Sequence, residues 1–214
     1  LLGATVDQLE IWGLDALLSW APFALAVTAL TVCGGINAIN IIDGFNGLAA
    51  VTVVIMLAAL AAVSQYVGDT WVAQLAMLGL GAALGFLLVN YPSGRLFLGD
   101  GGAYFLGFWV AEIIVLLLVR NPSVNAWQML SICAYPVIEV GYSIYRRRIV
   151  RRADAGAPDG LHLHTLVYRR FVSRVLKKDS PHPWKRNAAV VCVMLPCIAT
   201  GVFLSVVAGN TVLR

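Results

Sequence analysis

The chain has 214 residues, 60% of them hydrophobic and 12% charged, with a formal net charge of +4. A soluble domain carries roughly 25% charged residues, so this composition, with a mean hydropathy of +0.82, excludes an ordinary soluble domain. It describes an all-α polytopic membrane protein, read here as one integral membrane domain over residues 1–214 whose surroundings are the lipid bilayer.

Residues 1–20 mix Asp7, Glu10 and Asp15 with Leu, Ile and Trp. They read as an interfacial segment or as the exit of an earlier helix, and no basic region of a cleavable signal peptide precedes them. The chain opens on Leu in mid-pattern and is expected to be part of a longer one. A spanning helix needs about 20 mostly apolar residues. Six segments qualify: 21–38, 48–67, 70–90, 102–119, 127–145 and 188–209. Cys33, Cys133, Cys192 and Cys197 all lie in apolar surroundings and form no CxxC or metal spacing. They are expected to pack as small hydrophobes.

Twelve of the fifteen Lys and Arg fall between Arg146 and Arg186. Basic loops stay in the cytoplasm, which makes 146–187 a cytoplasmic loop and fixes the alternation of the spans. Residues 39–47 and 91–101 then also lie inside, and 68–69 and 120–126 outside. Three polar segments, far apart in sequence, are thereby placed on one face.

The first is NAINIIDGFNG, residues 37–47. Asn37 and Asn40, three apart, share a helix face. Gly44 and Gly47 permit a turn, and a new helix begins near Leu48. Helix starts attract phosphate, and Asp43 beside one could bind a metal, act as a base or cap the helix. Asp43 or Asn46 as an N-cap, with the asparagines as interhelical glue, is the simpler account. Four such residues within eleven positions at the water boundary favour a functional site.

The second segment, residues 90–108, turns at Tyr91-Pro92-Ser93-Gly94 and reaches Asp100 among three glycines. Asp100 could be an N-cap, but its glycines leave the backbone open to a ligand. A carboxylate there suits Mg²⁺, which takes one or two carboxylates with phosphate oxygens and water. Phe97 could stack on a planar base or could face lipid. The third segment, PDGLHLHTLVYRR, pairs His162 with His164 after Asp159. Histidines with a carboxylate and arginines nearby suit phosphate binding or proton transfer. A basic loop that holds anionic lipid explains the arginines of 146–152 but not the histidines.

With these segments in order, the chain resembles the polyprenyl-phosphate N-acetylhexosamine-1-phosphate transferases, relatives of phospho-N-acetylmuramoyl-pentapeptide transferase. Their NxxNxxDGxDGLA pattern matches Asn37, Asn40, Asp43, Gly44, Gly47, Leu48 and Ala49. Their FxGDxGSxxLG pattern matches Phe97, Gly99, Asp100, Gly102, Leu106 and Gly107, with Ala103 where Ser is usual. Their HxHH pattern matches His162 and His164.

The resemblance implies transfer of a sugar-1-phosphate from a UDP-N-acetylhexosamine to undecaprenyl phosphate, with release of UMP. This is the first membrane step of cell-surface glycans such as O-antigen, at the cytoplasmic face of the bacterial inner membrane. Mg²⁺, replaceable by Mn²⁺, would bridge the diphosphate, with Asp100 as ligand and Asn40 at the metal or phosphate site. Asp43 would lie at the active centre, and Asn37 and Asn46 beside the substrate. Phe97 and Asn90 would face the uridine, while His162, His164 and Arg169 would hold phosphate or sugar. A homodimer is compatible with it, and no nucleic-acid partner is expected. Asn46 stands where the family often has Asp, and Thr165 replaces the last His. The family's DDxxD motif is absent, and it normally precedes the asparagine segment. A membrane transporter, with Asp43, Asp100, Glu112 and Glu139 as an ion path, and an inactive scaffold of a glycan pathway are the alternatives.

Overall fold

The computed structural model describes residues 4–11, 13–150, 161–176, 182 and 184–212. Asp159, Arg151, Arg152, Lys177 and Lys178 therefore lie outside the described residues. Among these the regular structure is all helical: α1 (Leu14–Leu18), α2 (Ala21–Ile42), α3 (Leu48–Tyr66), α4 (Thr70–Asn90), α5 (Gly99–Arg120), α6 (Ala126–Ile132), α7 (Ala134–Tyr145), α8 (Leu163–Val167), α9 (Ser173–Val175) and α10 (Trp184–Val212). Two π-helical turns, Arg146–Val150 and Tyr168–Val172, continue α7 and α8.

Five helices, α2, α3, α4, α5 and α10, are long and apolar enough to cross a membrane. The sequence pattern had placed six. The expected span 127–145 is not one helix but α6 and α7, joined at Cys133. Pro136 explains the break. It has no N–H to offer the Ile132 carbonyl four residues back, and its ring crowds that carbonyl. Helices α2, α5 and α10 run longer than their expected spans, with Asn37 and Asn40 inside α2 and α5 beginning at Gly99, while α3 stops one residue short of its expected end and α4 has the expected bounds.

Helix α3 is the centre of the bundle, with fully buried Val53, Leu57 and Leu60. It is apolar all round, as a helix enclosed by others must be. Helices α2 and α5 approach so closely that backbone meets backbone. A Cβ on Gly107 would lie 2.7 Å from Ile36 Cα and 2.8 Å from the Gly35 carbonyl oxygen. Small residues permit such contact where lipid supplies no hydrophobic drive between helices. Only Cys133 of the four cysteines is buried, so the packing expected of Cys33, Cys192 and Cys197 is not inside the protein.

The two ends of the bundle differ. At one, the Asp69 side chain caps α4 by accepting from Val72 N–H and pairs with Arg120 Nε at 2.7 Å, with Asn121 donating at 3.1 Å. Those hydrogen bonds, Arg120's first, hold the Asp69 carboxyl below the usual carboxylate range. The turns at 43–47, 91–98 and 161–162 gather at the other end, one helix length away. For the 19 residues of α3 that is about 28 Å.

Candidate active site at one end of the bundle

Helix α2 stops at Ile42. Asp43 follows as its C-cap, with its N–H on the Asn40 carbonyl. The residue before α3 is Gly47, so neither Asp43 nor Asn46 is the N-cap of that helix. Gly47 has a left-handed φ of 80°, which favours glycine, and a Cβ there would lie 2.7 Å from Tyr91 Cδ2.

Two buried asparagines tie this turn to the next. Asn90 accepts from Gly47 N–H at 2.5 Å and donates to the Leu96 carbonyl at 2.6 Å. Asn46 donates to the Pro92 carbonyl at 3.0 Å, and its own N–H reaches Asn187 Oδ1 at 2.6 Å, which brings in the start of α10. Both side chains brace backbone here. Their distance apart in sequence hid this role.

Braced in this way, the second turn delivers Asp100 to the first turn of α5, past Gly99 with its φ of 65°. Asp100 is exposed and accepts from Asn40 Nδ2 at 3.0 Å. It is inside the helix rather than its N-cap. Asp43 is half-buried, and burial, with the Asp100 charge second, raises its pKa to about 6. Phe97 is 73% exposed at the edge of this cleft. Asn37 does not join it, because its Nδ2 turns back onto the Cys33 carbonyl of its own helix at 2.8 Å.

The third segment closes the group from the side. His164 is 2% exposed; its Nδ1 meets the Tyr135 hydroxyl at 3.2 Å. Its Nε2 lies against Gly44, 3.3 Å from where a Cβ would be. Burial above all, opposed by Glu139 and aided by His162, lowers the His164 pKa to about 4, so the ring is neutral at ordinary pH. Phe45 sits edge-on to this ring and tilts onto Tyr168, over which Arg186 lies at 5.4 Å. His162 stacks on His164 with ring centroids 5.3 Å apart and planes 9° from parallel. Arg169 is exposed on the adjoining π-helical turn.

The structure thus brings together Asn40, Asp43, Asp100, His162 and His164, with Asn46 and Asn90 as braces and Phe97 and Arg169 at the rim. Sequence reasoning missed Tyr135 and left Glu139 as an ion-path carboxylate. Their spacing of four puts both on one face of α7, which was the available signal.

Residues 2–118 match the family described as glycosyl transferase family 4. That is more than half of the chain, and it includes both the asparagine and the Asp100 segments. The chain belongs to glycosyl transferase family 4.

Similar proteins agree with this. The chain is 32% identical over 148 residues, 69% of its length, to a Bacillus subtilis protein named "Probable undecaprenyl-phosphate N-acetylglucosaminyl 1-phosphate transferase", covering 40% of that protein. It is 30% identical over 159 residues, 72% of its length, to the undecaprenyl-phosphate alpha-N-acetylglucosaminyl 1-phosphate transferase of Salmonella typhi, covering 43% of it. It is 37% identical over 100 residues, 47% of its length, to the phospho-N-acetylmuramoyl-pentapeptide-transferase of Bacillus thuringiensis, covering 30% of it. The chain therefore spans about two fifths of the first two relatives. The match to the family model ends at residue 118, and the histidine segment beyond it is joined to the site by the contact of His164 with Gly44.

Proposed function

We propose that this site serves transfer of an N-acetylhexosamine-1-phosphate from a UDP-sugar to undecaprenyl phosphate, with release of UMP. One observation carries the reading. Asn40, Asp43 and Asp100 meet at the end of spanning helices, and an apolar cavity of about 440 Å³ runs from Leu118, Ala126 and Trp127 at the opposite end to Ala38 and Ile39, one residue short of Asn40. Val110, Ile114, Leu130 and Val137 line its walls. A water-borne donor and a membrane-bound acceptor can meet only at such a boundary. The Lys and Arg of 146–186 support the cytoplasmic side of an inner membrane.

In this reading an oxygen of the acceptor phosphate attacks the sugar-bearing phosphorus. The bond from that phosphorus to the bridging oxygen breaks, and UMP leaves. Such transfer needs positioning and charge neutralisation more than covalent help from the protein. Asp43 accepts the acceptor phosphate's proton when that phosphate arrives as a monoanion. Phe97, exposed beside Asp100, offers the uracil a face to stack on. The donor set fits Mg²⁺ or Mn²⁺. Two neighbouring carboxylates with an amide leave positions for phosphate oxygens and water. Asp100 and Asn40 would hold the ion, which would neutralise the diphosphate.

The test is UMP release by the full-length protein in membranes, from several UDP-sugars with undecaprenyl phosphate. Turnover with a UDP-N-acetylhexosamine is expected to stop on chelation and return with Mg²⁺ or Mn²⁺. No turnover with any UDP-sugar would end the reading. The rate is also expected to rise with pH as Asp43 ionises, at a pH below the metal-free value of about 6 because the cation on Asp100 favours the carboxylate, and Asp43→Asn should remove this limb. The sign for stability is opposite. The folded chain holds the Asp43 proton more tightly, so this group favours folding below 3.8, and the benefit is lost as pH climbs to about 6. A transporter would place polar groups near mid-membrane. Here Asp43, Asp100 and Glu139 gather at the bundle end, Glu112 lies part-way along α5, and the relatives favour neither a transporter nor a scaffold.

A further inference from the structure

The function above assigns no work to α7, yet one face of that helix addresses both histidines. Tyr135 and Glu139 are four residues apart on it. The Tyr135 hydroxyl meets Nδ1 of His164 at 3.2 Å. Oε2 of Glu139 lies 3.7 Å from Nδ1 of His162, an atom buried without a hydrogen-bond partner. The two rings are within 9° of parallel. With both Nδ1 atoms turned to one helix and the planes aligned, both Nε2 atoms point away from it. For His164 that direction ends on Gly44, next to Asp43.

Glu139 does a second thing. Its carboxylate accepts the backbone N–H of Leu163, the first residue of α8, at both oxygens. It thereby holds the backbone between the two histidines as well as facing one ring. Arg146, about two turns beyond Glu139, donates to the Leu161 carbonyl at 3.0 Å and steadies the chain before His162. Glu139 is 6% exposed. A buried carboxylate in an apolar helix is costly, and such a group is kept where it has work to do.

We propose that Glu139 is the positioning residue of the histidine pair. It fixes the start of α8 and turns His162 so that Nε2 faces the substrate phosphates at the Asp43–Asp100 cleft. This rests on the transferase reading. An orienting partner behind a functional imidazole commonly contributes about 10–100-fold to the function it supports. Tyr135 holds His164 in the same way, but that ring is fully buried against Gly44 and acts as a wedge.

The test uses the full-length protein in membranes and follows UMP release. Glu139→Gln keeps an oxygen for the Leu163 N–H and removes the charge that faces His162. It is expected to lower kcat about 10–100-fold with donor KM within about threefold. The pair Glu139→Gln with His162→Ala should be no slower than His162→Ala alone, since groups that act as one unit are not additive. Losses that multiply, or a change confined to KM, would overturn the proposal.

Hydrogen exchange at the Leu163 amide reads the clamp without any turnover. It should quicken in Glu139→Ala and stay near wild type in Glu139→Gln. Equal exchange in Glu139→Ala and wild type would also overturn it. A wild-type protein that is inactive with every UDP-sugar, yet shows this exchange pattern, would place the failure in the transferase reading and not in the clamp.

Discussion

Asp100→Asn is expected to cut UMP release by about 10³-fold while the protein inserts and folds as before. Removing one stabiliser of transition-state charge typically costs about 10²–10³, and this residue is asked to serve both the cation and the phosphates around it. The substitution preserves size. Asp100 is exposed in the first turn of α5, so its loss touches no core packing. A negative charge in that turn is worth only about 0.3–1 kcal/mol to the helix. Its bond to Asn40 spans 60 residues of sequence but is a surface contact. Rate and stability should therefore separate, with a large loss in kcat and a thermal midpoint close to wild type. Wild-type turnover in Asp100→Asn would remove this carboxylate from the chemistry.

Gly107→Val should behave in the opposite way and damage both properties at once. The atoms that a Cβ on Gly107 would meet are Ile36 Cα and the Gly35 backbone, and neither can swing aside as a flexible side chain would. Overpacking of this kind costs about 1–3 kcal/mol or more. Relief requires α2 and α5 to part, and those two helices carry Asn40 and Asp100 about one to two turns away from the contact. The 3.0 Å bond between them should open. Lower thermal stability and lower turnover are expected together. Gly81→Ala is the control: nothing lies within 4 Å of its added Cβ, and alanine is the better helix former. Wild-type stability and rate in Gly107→Val would mean that the close approach of α2 and α5 does not set the site.

Much of this arrangement is legible in the sequence, and the reason is electrostatic. Lys and Arg bias alone assigned the asparagine, Asp100 and histidine segments to one side. The structure joins them at one bundle end through Asn40–Asp100, Asn46–Pro92 and His164–Gly44 contacts. Helix bounds were legible wherever apolar runs were unbroken. The division of 127–145 into α6 and α7 was hidden because composition does not register that Pro136 strands the Ile132 carbonyl.

Side-chain direction was the other gap. Spacing put Asn37 and Asn40 near one face, yet a back-bond to Cys33 turns Asn37 away and leaves Asn40 on the cleft. Asn46 reads as functional because amides at membrane depth imply function, and Asn90 reads as a uridine contact through the family resemblance. Their partners in the fold are backbone groups from other loops, which no local pattern reveals. Glu139 was visible as a buried carboxylate, but its histidine partner lies 23 residues further on, beyond any helical spacing.

The account rests on three remote segments sharing one side of one membrane. Single cysteines at Asp43, Asp100, Leu163 and, as the opposite-end control, Ser123, placed where Cys33, Cys133, Cys192 and Cys197 have been replaced, can be challenged with an impermeant thiol reagent in sealed right-side-out and inverted vesicles. Labelling of the first three in inverted vesicles only, and of the Ser123 site in right-side-out vesicles only, is the predicted result. Labelling of Asp43, Asp100 or Leu163 from the same side as Ser123 would contradict it.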